Sequence, residues 1–193
     1  MKHCYFLPWR HDDHNGFEVM LGVKNLEQAT VAGRPVTVTE RNRSQGKAIG
    51  SKMIPNYAGQ WVIIGGGADA GESEEAAAER EFHEETGFKF DTPGQFSAKS
   101  YLIGTAQWAC VVRETLRPDN LRAEIQSSIK ARKVPDDELN GVQWFDLATA
   151  VTLMNHIQPV PVTHERRSHQ DRTWFVDILT RVREDYIGLT EDN

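Results

Sequence analysis

Residues 61–88 constrain the fold of this chain more strongly than any other stretch. The apolar run at 61–64 predicts a short buried strand, and the three glycines that follow it predict a loop. Ser73 is a favourable N-cap, the alanines at 76–78 favour a helix, and Gly87 is suited to end that helix in a left-handed conformation. The segment is therefore predicted to fold as strand, glycine loop and helix.

Three glutamates lie on one face of this predicted helix. At about 100° per residue, Glu81, Glu84 and Glu85 fall within an arc of roughly 100°. Like charges at these spacings destabilise an isolated helix, whereas a hard divalent cation such as Mg²⁺ prefers such oxygen ligands. A solvated acidic face is the alternative, and the three glutamates alone do not decide between the two.

The wider spacing decides in favour of a metal-binding face. The residues that form the pattern are Gly66, Glu72, Arg80, Glu81, Phe82, Glu84, Glu85, Gly87 and Phe88. In type and spacing they resemble the complete signature box of the Nudix hydrolases, the MutT-like superfamily. The resemblance implies an α/β fold, namely a Nudix-type α/β/α sandwich with a mixed β-sheet. It also implies hydrolysis of a nucleoside diphosphate linked to another moiety, with Mg²⁺ or Mn²⁺ as cofactor.

The resemblance further implies roles for individual residues. Metal binding, or its support, is expected at Gly65, Glu72, Glu81, Glu84 and Glu85. Either Glu81 or another of these carboxylates could also orient or deprotonate the attacking water. Arg80 is expected to hold a box glutamate through a bidentate ion pair.

The general base is harder to assign, because the family places it in different loops. Asp136, Asp137 and Glu138 precede a predicted closing strand, and Glu138 is our candidate for the catalytic base. An exposed acidic loop is the alternative.

Length and charge narrow the class of protein. A chain of 193 residues suits a single domain, 1–193, and a net charge of −6 argues against a general nucleic-acid binder. No apolar run is long enough for a signal peptide core or a membrane span, so we expect no membrane association and a cytoplasmic location. The expected partner is instead a small phosphorylated nucleotide-type substrate.

The remaining elements follow from periodicity and turn residues. Strands are predicted at 3–9, 17–23, 96–103, 107–114 and 141–145, with a hairpin at 28–39. Helices are predicted at 118–133, from 146 to beyond 151, and from 171 onwards, and residues 157–170 are expected to be irregular. His11 and His14 lie with two aspartates in a predicted turn, where metal binding is the alternative to turn chemistry.

Positive charge is concentrated in one stretch of this acidic chain. Residues 40–60 are rich in glycine, serine and basic residues and are predicted to form a mobile loop. Its basic side chains, which could bind substrate phosphates, are Arg41, Arg43, Lys47 and Lys52. The alternatives are a solubilising loop and an arm that contacts a second subunit in a homodimer.

The sequence leaves the substrate open among nucleoside triphosphates, nucleotide sugars, ADP-ribose and dinucleoside polyphosphates. Tyr101 could stack on a base or could pack in the core. A non-catalytic nucleotide-sensing module on the same fold is the alternative to an enzyme. Such modules usually lack box glutamates or carry an added DNA-binding domain, and this sequence has neither feature.

Overall fold

The computed structural model describes residues 1–14, 16–31, 34–35, 52–131 and 136–191. Its strands are β1 (His3–Asp12), β2 (Gly16–Lys24), β3 (Gln28–Val31), β4 (Arg34–Pro35), β5 (Lys52–Met53), β6 (Trp61–Val62), β7 (Ile64–Gly67), β8 (Phe96–Gly104), β9 (Trp108–Thr115) and β10 (Leu139–Asp146). Its helices are α1 (Glu74–Thr86), α2 (Pro118–Lys130), α3 (Leu147–Asn155), α4 (Glu165–Ser168) and α5 (Thr173–Glu191), and a 3₁₀ turn at Val162–His164 precedes α4.

The main sheet is mixed and contains a fork. Its strands follow the order β10-β2-β1-β9-β8, with β1 and β9 parallel and the other neighbours antiparallel. Strands β1 and β2 pair with each other near their connecting turn, between Trp9–Val19 and Asp12–Gly16. At their other ends β1 pairs with β7 and β2 pairs with β6. The short strands β6 and β7 therefore lie in the fork between the two long strands. Strands β4, β3 and β5 form a separate small sheet.

Helices cover both faces of the main sheet. Successive side chains of a strand point to opposite faces. The ring of Phe6 lies 4.9 Å from that of Phe82 on α1, whereas the ring of the preceding residue, Tyr5, lies 5.2 Å from that of Phe175 on α5. Helices α1 and α5 are thus on opposite faces of β1. The α/β/α sandwich with a mixed sheet, expected from the resemblance, is confirmed.

An aromatic cluster anchors α1 to the sheet. Phe6, Phe82, Phe88, Phe90 and Phe96 lie within 4.9–6.3 Å of one another in eight ring pairs, most of them edge-to-face. Edge-to-face contacts suit the opposite partial charges of ring edges and ring faces. This packing fixes the helix that carries the acidic residues.

The glycine run differs from its prediction, because it continues the strand instead of forming a loop. Strand β7 comprises Ile64–Gly67, and Gly65, Gly66 and Gly67 pair with β1. A Cβ atom on Gly65 would lie 2.3 Å from the Cys4 carbonyl oxygen, and one on Gly66 would lie 2.4 Å from a carboxylate oxygen of Glu81. Gly65 is needed because the backbone of β1 leaves no room for a Cβ atom, whereas at Gly66 the neighbour is the flexible end of the Glu81 side chain.

Most of the other predicted helices and strands are confirmed, but their first or last residues differ from the predicted ones. Helix α2 ends at Lys130, whereas the prediction extended it to residue 133, and residues 132–135 lie outside the described part of the chain. The prediction of irregular structure at 157–170 is wrong for the 3₁₀ turn and α4.

Among the described residues, no helix combines the length and apolar character needed to cross a bilayer. The Asp12 side chain accepts a hydrogen bond from the His14 backbone N–H at 3.0 Å, which is turn chemistry.

Candidate active site

Helix α1 begins and ends where the sequence predicts. The Ser73 side chain accepts a hydrogen bond from the Ala76 backbone N–H at 3.2 Å, and Glu74 and Glu75 fall in the first turn. Gly87 has a φ angle of 70°, and its N–H donates to the His83 carbonyl at 2.7 Å. Both ends of the helix are therefore capped, which fixes the register of its acidic face.

Arg80 organises three of the glutamates. Its Nε and Nη2 donate to the two carboxylate oxygens of Glu72, each at 3.0 Å, in a bidentate pair. Its Nη1 bridges Glu81 at 2.9 Å and Glu84 at 3.1 Å, and Nη2 also donates to the Gly67 carbonyl at 2.8 Å. One guanidinium thus connects the loop before α1, the acidic face of α1 and the glycine strand. We call Arg80 and its three glutamates the arginine cluster.

Lys24 holds two further carboxylates, those of Glu85 and Glu138. Its ammonium donates to Glu85 at 2.7 Å and also to Glu138, and both Lys24 and Glu85 are buried. These residues come from the end of β2, the end of α1 and the segment before β10. Desolvation of an isolated ion at such a depth costs several kcal/mol, so each charge depends on its partners. We call Lys24, Glu85 and Glu138 the lysine cluster.

The surroundings shift the pKa values of these carboxyl groups in different directions. The charge of Lys24 lowers the pKa of Glu138. Burial raises the pKa of Glu85 above its ordinary value, although Lys24 opposes that rise. Burial also raises the pKa of Glu81, and it raises that of Asp136 to about 6 with help from the charges of Glu138 and Glu84. The site thus holds acidic groups with different proton affinities close together.

A cavity of about 300 Å³ joins the two clusters. The charged part of its wall contains four acidic residues and one lysine, and the backbone of Gly65–Gly67 lies against it. These charged residues are Lys24, Glu81, Glu85, Asp136 and Glu138. Its other residues are His3, Tyr5, Asn56, Tyr57, Val62, Ile63 and Phe175. The cavity therefore lies beside the fork of the sheet, where β6 and β7 enter between β1 and β2.

The available donor atoms suit a hard cation. Carboxylate oxygens and glycine carbonyls are the ligands that Mg²⁺ and Mn²⁺ prefer. Within the described ranges, however, no three acidic, histidine or cysteine side chains converge on a common point. Arg80 holds Glu81 and Glu84, and Lys24 holds Glu85. A bound cation would have to compete with these two side chains for the same oxygens.

The site residues expected from the sequence are only partly brought together. Gly65, Glu81, Glu85 and Glu138 line the cavity, whereas Glu72 and Glu84 lie beside Arg80 at its edge. Lys52 lies elsewhere: it belongs to β5 and pairs with Glu27 at 2.8 Å. The other basic residues of that stretch, Arg41, Arg43 and Lys47, lie outside the described residues.

Sequence reasoning missed several residues of the cavity. Lys24 has a recognisable signal, since a lone lysine follows the apolar run at 19–23 of strand β2. Tyr5, Tyr57 and Phe175 gave no such signal, because aromatic residues in strands and helices usually serve packing. Asn56 and Tyr57, at the end of the 40–60 stretch, line the same cavity as Glu81 and Glu85 of the box.

Comparison with solved structures finds proteins of similar fold. The chain is similar to an Ap4A hydrolase from C. elegans in a binary complex, with 14% identity, coverage of 97% of this chain and 99% of that chain, and a TM-score of 0.50. A mutT/nudix family protein from Listeria innocua has 17% identity, coverage of 99% and 94%, and a TM-score of 0.47. NrtR from Shewanella oneidensis, complexed with a 27mer DNA, has 14% identity, coverage of 96% and 61%, and a TM-score of 0.43.

The family itself follows from a match over most of the chain. A search among curated proteins finds no match. The model of the NUDIX domain matches residues 32–166, which include the whole box and both clusters except Lys24. The chain therefore belongs to the NUDIX domain family.

Proposed function

We propose that this protein is a pyrophosphohydrolase that uses Mg²⁺ or Mn²⁺ to cleave a nucleoside diphosphate linked to another moiety. One observation carries the proposal. Glu81 and Glu85 of α1 line a single cavity with Glu138, which precedes β10, and with the glycine strand, although these three segments are separate in the chain. Carboxylates that are brought together at the cost of mutual repulsion indicate a site for positive charge.

The metal would be held by Glu81, Glu84 and Glu85, with the Gly65 carbonyl as a further ligand. When bound, it would neutralise phosphate oxygens and lower the pKa of water. Arg80 would act as a positioning residue, since it holds Glu81 and Glu84 at fixed distances. Glu72 would support Arg80 through their bidentate pair.

Glu138 would act as the general base. Because Lys24 lowers its pKa, Glu138 is ionised near neutral pH and can accept a proton. In the reaction a water oxygen forms a bond to phosphorus, the bond from phosphorus to the bridging oxygen breaks, and the proton of the water passes to Glu138. Lys24 holds the carboxylate in the cavity through its own hydrogen bond.

The basic residues Arg41, Arg43 and Lys47 would contact substrate phosphates that the metal does not reach. This part of the proposal rests on the sequence, because the chain leads from these residues directly to the cavity wall at Asn56. Lys52 would contribute less, since Glu27 already neutralises its charge.

A panel of phosphoanhydrides tests the proposed function. The panel contains nucleoside triphosphates, nucleotide sugars, ADP-ribose and dinucleoside polyphosphates, each incubated with Mg²⁺ or Mn²⁺. We expect phosphate-bearing products from at least one compound and no products with excess chelator. Absence of products from every compound with both metals would contradict the proposal.

A non-catalytic nucleotide-sensing module is the second candidate. The observation that favours it is that every carboxylate of the two clusters already has a cationic partner within the chain. A sensor would bind a nucleotide in the cavity without cleaving it. Binding of a panel compound that is recovered intact would favour this candidate over the enzyme.

A further inference from the structure

The cavity has a second part that the proposed hydrolysis does not use. Away from the carboxylates, its wall consists of the aromatic side chains of Tyr5, Tyr57 and Phe175, with His3 and Asn56 at the edge. Reaction at a pyrophosphate needs none of these groups. Their arrangement points to the part of the substrate that does not react.

Tyr57 has an unusual backbone conformation. Its φ angle is 58°, and among the described residues it is the only non-glycine residue with a positive φ. A bulky residue pays a steric cost in this region, and such costs are often found at functional sites. The Tyr57 N–H donates to the Arg167 carbonyl at 2.9 Å, and the hydroxyl donates to the Asp171 carbonyl at 3.3 Å. The segment around α4 therefore holds Tyr57 at the cavity.

Because its hydroxyl is already used, Tyr57 offers a ligand mainly its ring. The edge-to-face contact with Phe175, at 5.6 Å between centroids, fixes the orientation of that ring. A fixed aromatic ring in a cavity wall is a surface on which another flat ring can stack.

Tyr5 offers a ligand its hydroxyl, whereas Tyr57 offers its ring. The residue is only 4% exposed, and its ring lies against Gly65 and the edge of Phe175. Among the described residues, no hydrogen-bond partner of its hydroxyl is found. A phenol carries its proton at neutral pH, so the hydroxyl can act as a donor. The hydroxyl is not among the polar atoms that are buried without a partner, so it is accessible from the cavity and can donate to a ligand there.

Asn56 adds a second donor. Its Oδ1 accepts a hydrogen bond from Arg167 Nη1 at 2.6 Å. A guanidinium can only donate, so this contact fixes the orientation of the amide with its oxygen towards Arg167. The amide nitrogen of Asn56 is then available to donate to a ligand.

We propose that this aromatic part of the cavity binds the base of a nucleotide, which stacks on Tyr57 and accepts hydrogen bonds from Tyr5 and Asn56. A nucleobase combines a flat π-surface with acceptor atoms at its edge, and the cavity offers a ring and two donors. An aliphatic diphosphate has neither the flat surface nor the edge acceptors that this ring and these donors could bind. The inference deepens the proposed function and rests on it for the position of the phosphates beside the carboxylates.

Binding of compounds that cannot be hydrolysed tests the inference. We would measure dissociation constants, with Mg²⁺, for the α,β-methylene diphosphates of adenosine, guanosine, cytidine and uridine, and for methylenediphosphonate, which lacks the nucleoside. In the wild-type protein at least one nucleotide should bind about 10-fold more tightly than methylenediphosphonate, since stacking on one aromatic ring contributes about 1–3 kcal/mol.

Variants of the two tyrosines sharpen the test. Tyr57→Leu should abolish most of the preference for the nucleotide while leaving the affinity for methylenediphosphonate within about 2-fold. Tyr57→Gly, which tolerates the positive φ, should do the same without backbone strain. Tyr57→Phe keeps the ring and should keep the preference. Tyr5→Phe should weaken only nucleotide binding, by about 5-fold, because it removes one hydrogen bond. Tyr101→Leu is the matched control, because Tyr101 is half-buried on β8 and does not line this cavity.

The outcomes separate this inference from the proposed function. Equal affinities for nucleotides and methylenediphosphonate in the wild-type protein, or an unchanged preference in Tyr57→Leu and Tyr57→Gly, would overturn the base-binding site. Either result is compatible with hydrolysis of the substrate panel. Conversely, a preference that depends on Tyr57 in a protein that cleaves no panel compound would support the base-binding site and contradict the hydrolase.

Discussion

The arginine cluster and the lysine cluster use the same chemistry in different surroundings. In each, one basic side chain holds several carboxylates. Arg80 has a side chain that is 28% exposed, whereas the Lys24 side chain is 7% exposed and its partner Glu85 is 4% exposed. Water can replace a lost partner in the first cluster but hardly in the second. The comparison indicates that the arginine cluster mainly positions groups, while the lysine cluster is also needed for the stability of the fold.

Removing the basic residue of each cluster should give the largest difference. Lys24→Met leaves Glu85 and Glu138 facing each other without a cation, and breaking a buried ion pair in this way costs about 3–5 kcal/mol. We expect a loss of that size in the free energy of unfolding, measured by urea denaturation at neutral pH. Arg80→Met should cost clearly less, because its partners are more accessible to water.

A second variant tests the cause of that loss. Adding Glu85→Gln to Lys24→Met replaces the buried carboxyl group that has lost its partner and should restore part of the stability. If Lys24→Met alone costs less than about 1 kcal/mol, the range of exposed ion pairs, the lysine cluster is not a buried network and the comparison fails.

In the arginine cluster, activity should change more than stability. Glu81→Gln and Glu84→Gln keep the size of the side chain but remove the charge proposed to hold the metal. We expect kcat to fall by about 100-fold or more, as when a charge-stabilising group is lost. Stability should hold or rise, because repulsion along α1 is relieved. Glu75→Gln, exposed in the first turn of the same helix, is the matched control.

The measurements for this prediction are steady-state kinetics on the panel compound that is cleaved best and urea denaturation of each variant. Turnover close to that of the wild type in both variants would remove these glutamates from the proposed metal site. A loss of activity that is accompanied by an equal loss of folded protein would also count against it.

A variant of Glu138 should show whether this residue of the lysine cluster serves catalysis without binding the metal. If it accepts the proton of the attacking water, Glu138→Gln should lower kcat by about 100-fold, the low end for general acid–base catalysis. The affinity for Mn²⁺, measured by isothermal titration, should stay unchanged. The neighbouring Asp137→Asn serves as control, since Asp137 is not part of the cavity wall. An unchanged kcat across the pH range in Glu138→Gln would reject Glu138 as the base.

The two clusters also differ in how far the sequence predicts them. Residues 72–84 lie close together in the chain, and the resemblance to the box was enough to predict that Arg80 holds one box glutamate, although not that it joins three of them. In the lysine cluster, Glu85 lies 61 positions from Lys24 in the chain and Glu138 lies 114 positions from it. Their contact depends on the register of β2 and β10, which local patterns do not specify.

The fold, too, could be predicted from local sequence patterns only within single elements, and not for contacts between distant segments. The long strands and amphipathic helices were predicted within a few residues, because each has its own periodicity. The fork that receives β6 and β7 was not predicted, since it arises from how β1 and β2 diverge. The glycines after Ile64 were therefore interpreted as a loop, although their pairing with β1 makes them part of a strand. Tyr5 and Tyr57 were missed for a related reason: lining a cavity is a tertiary property.

The smallest effect is expected from the basic stretch that precedes the cavity wall. The double variant Arg41→Ala with Arg43→Ala should raise KM by about 5-fold and change kcat less, because charges that contact only the non-reacting phosphates contribute uniform binding. Lys52→Ala is the matched control: this lysine belongs to the same stretch but is 74% exposed and pairs with Glu27, so KM should stay near the wild-type value. Raising the salt concentration should reduce the difference between the double variant and the wild type, since ions screen exposed charges. If KM rises equally in the double variant and in Lys52→Ala, the whole stretch acts through general electrostatic attraction. If KM does not change in either, substrate binding depends on the two clusters and the aromatic part of the cavity.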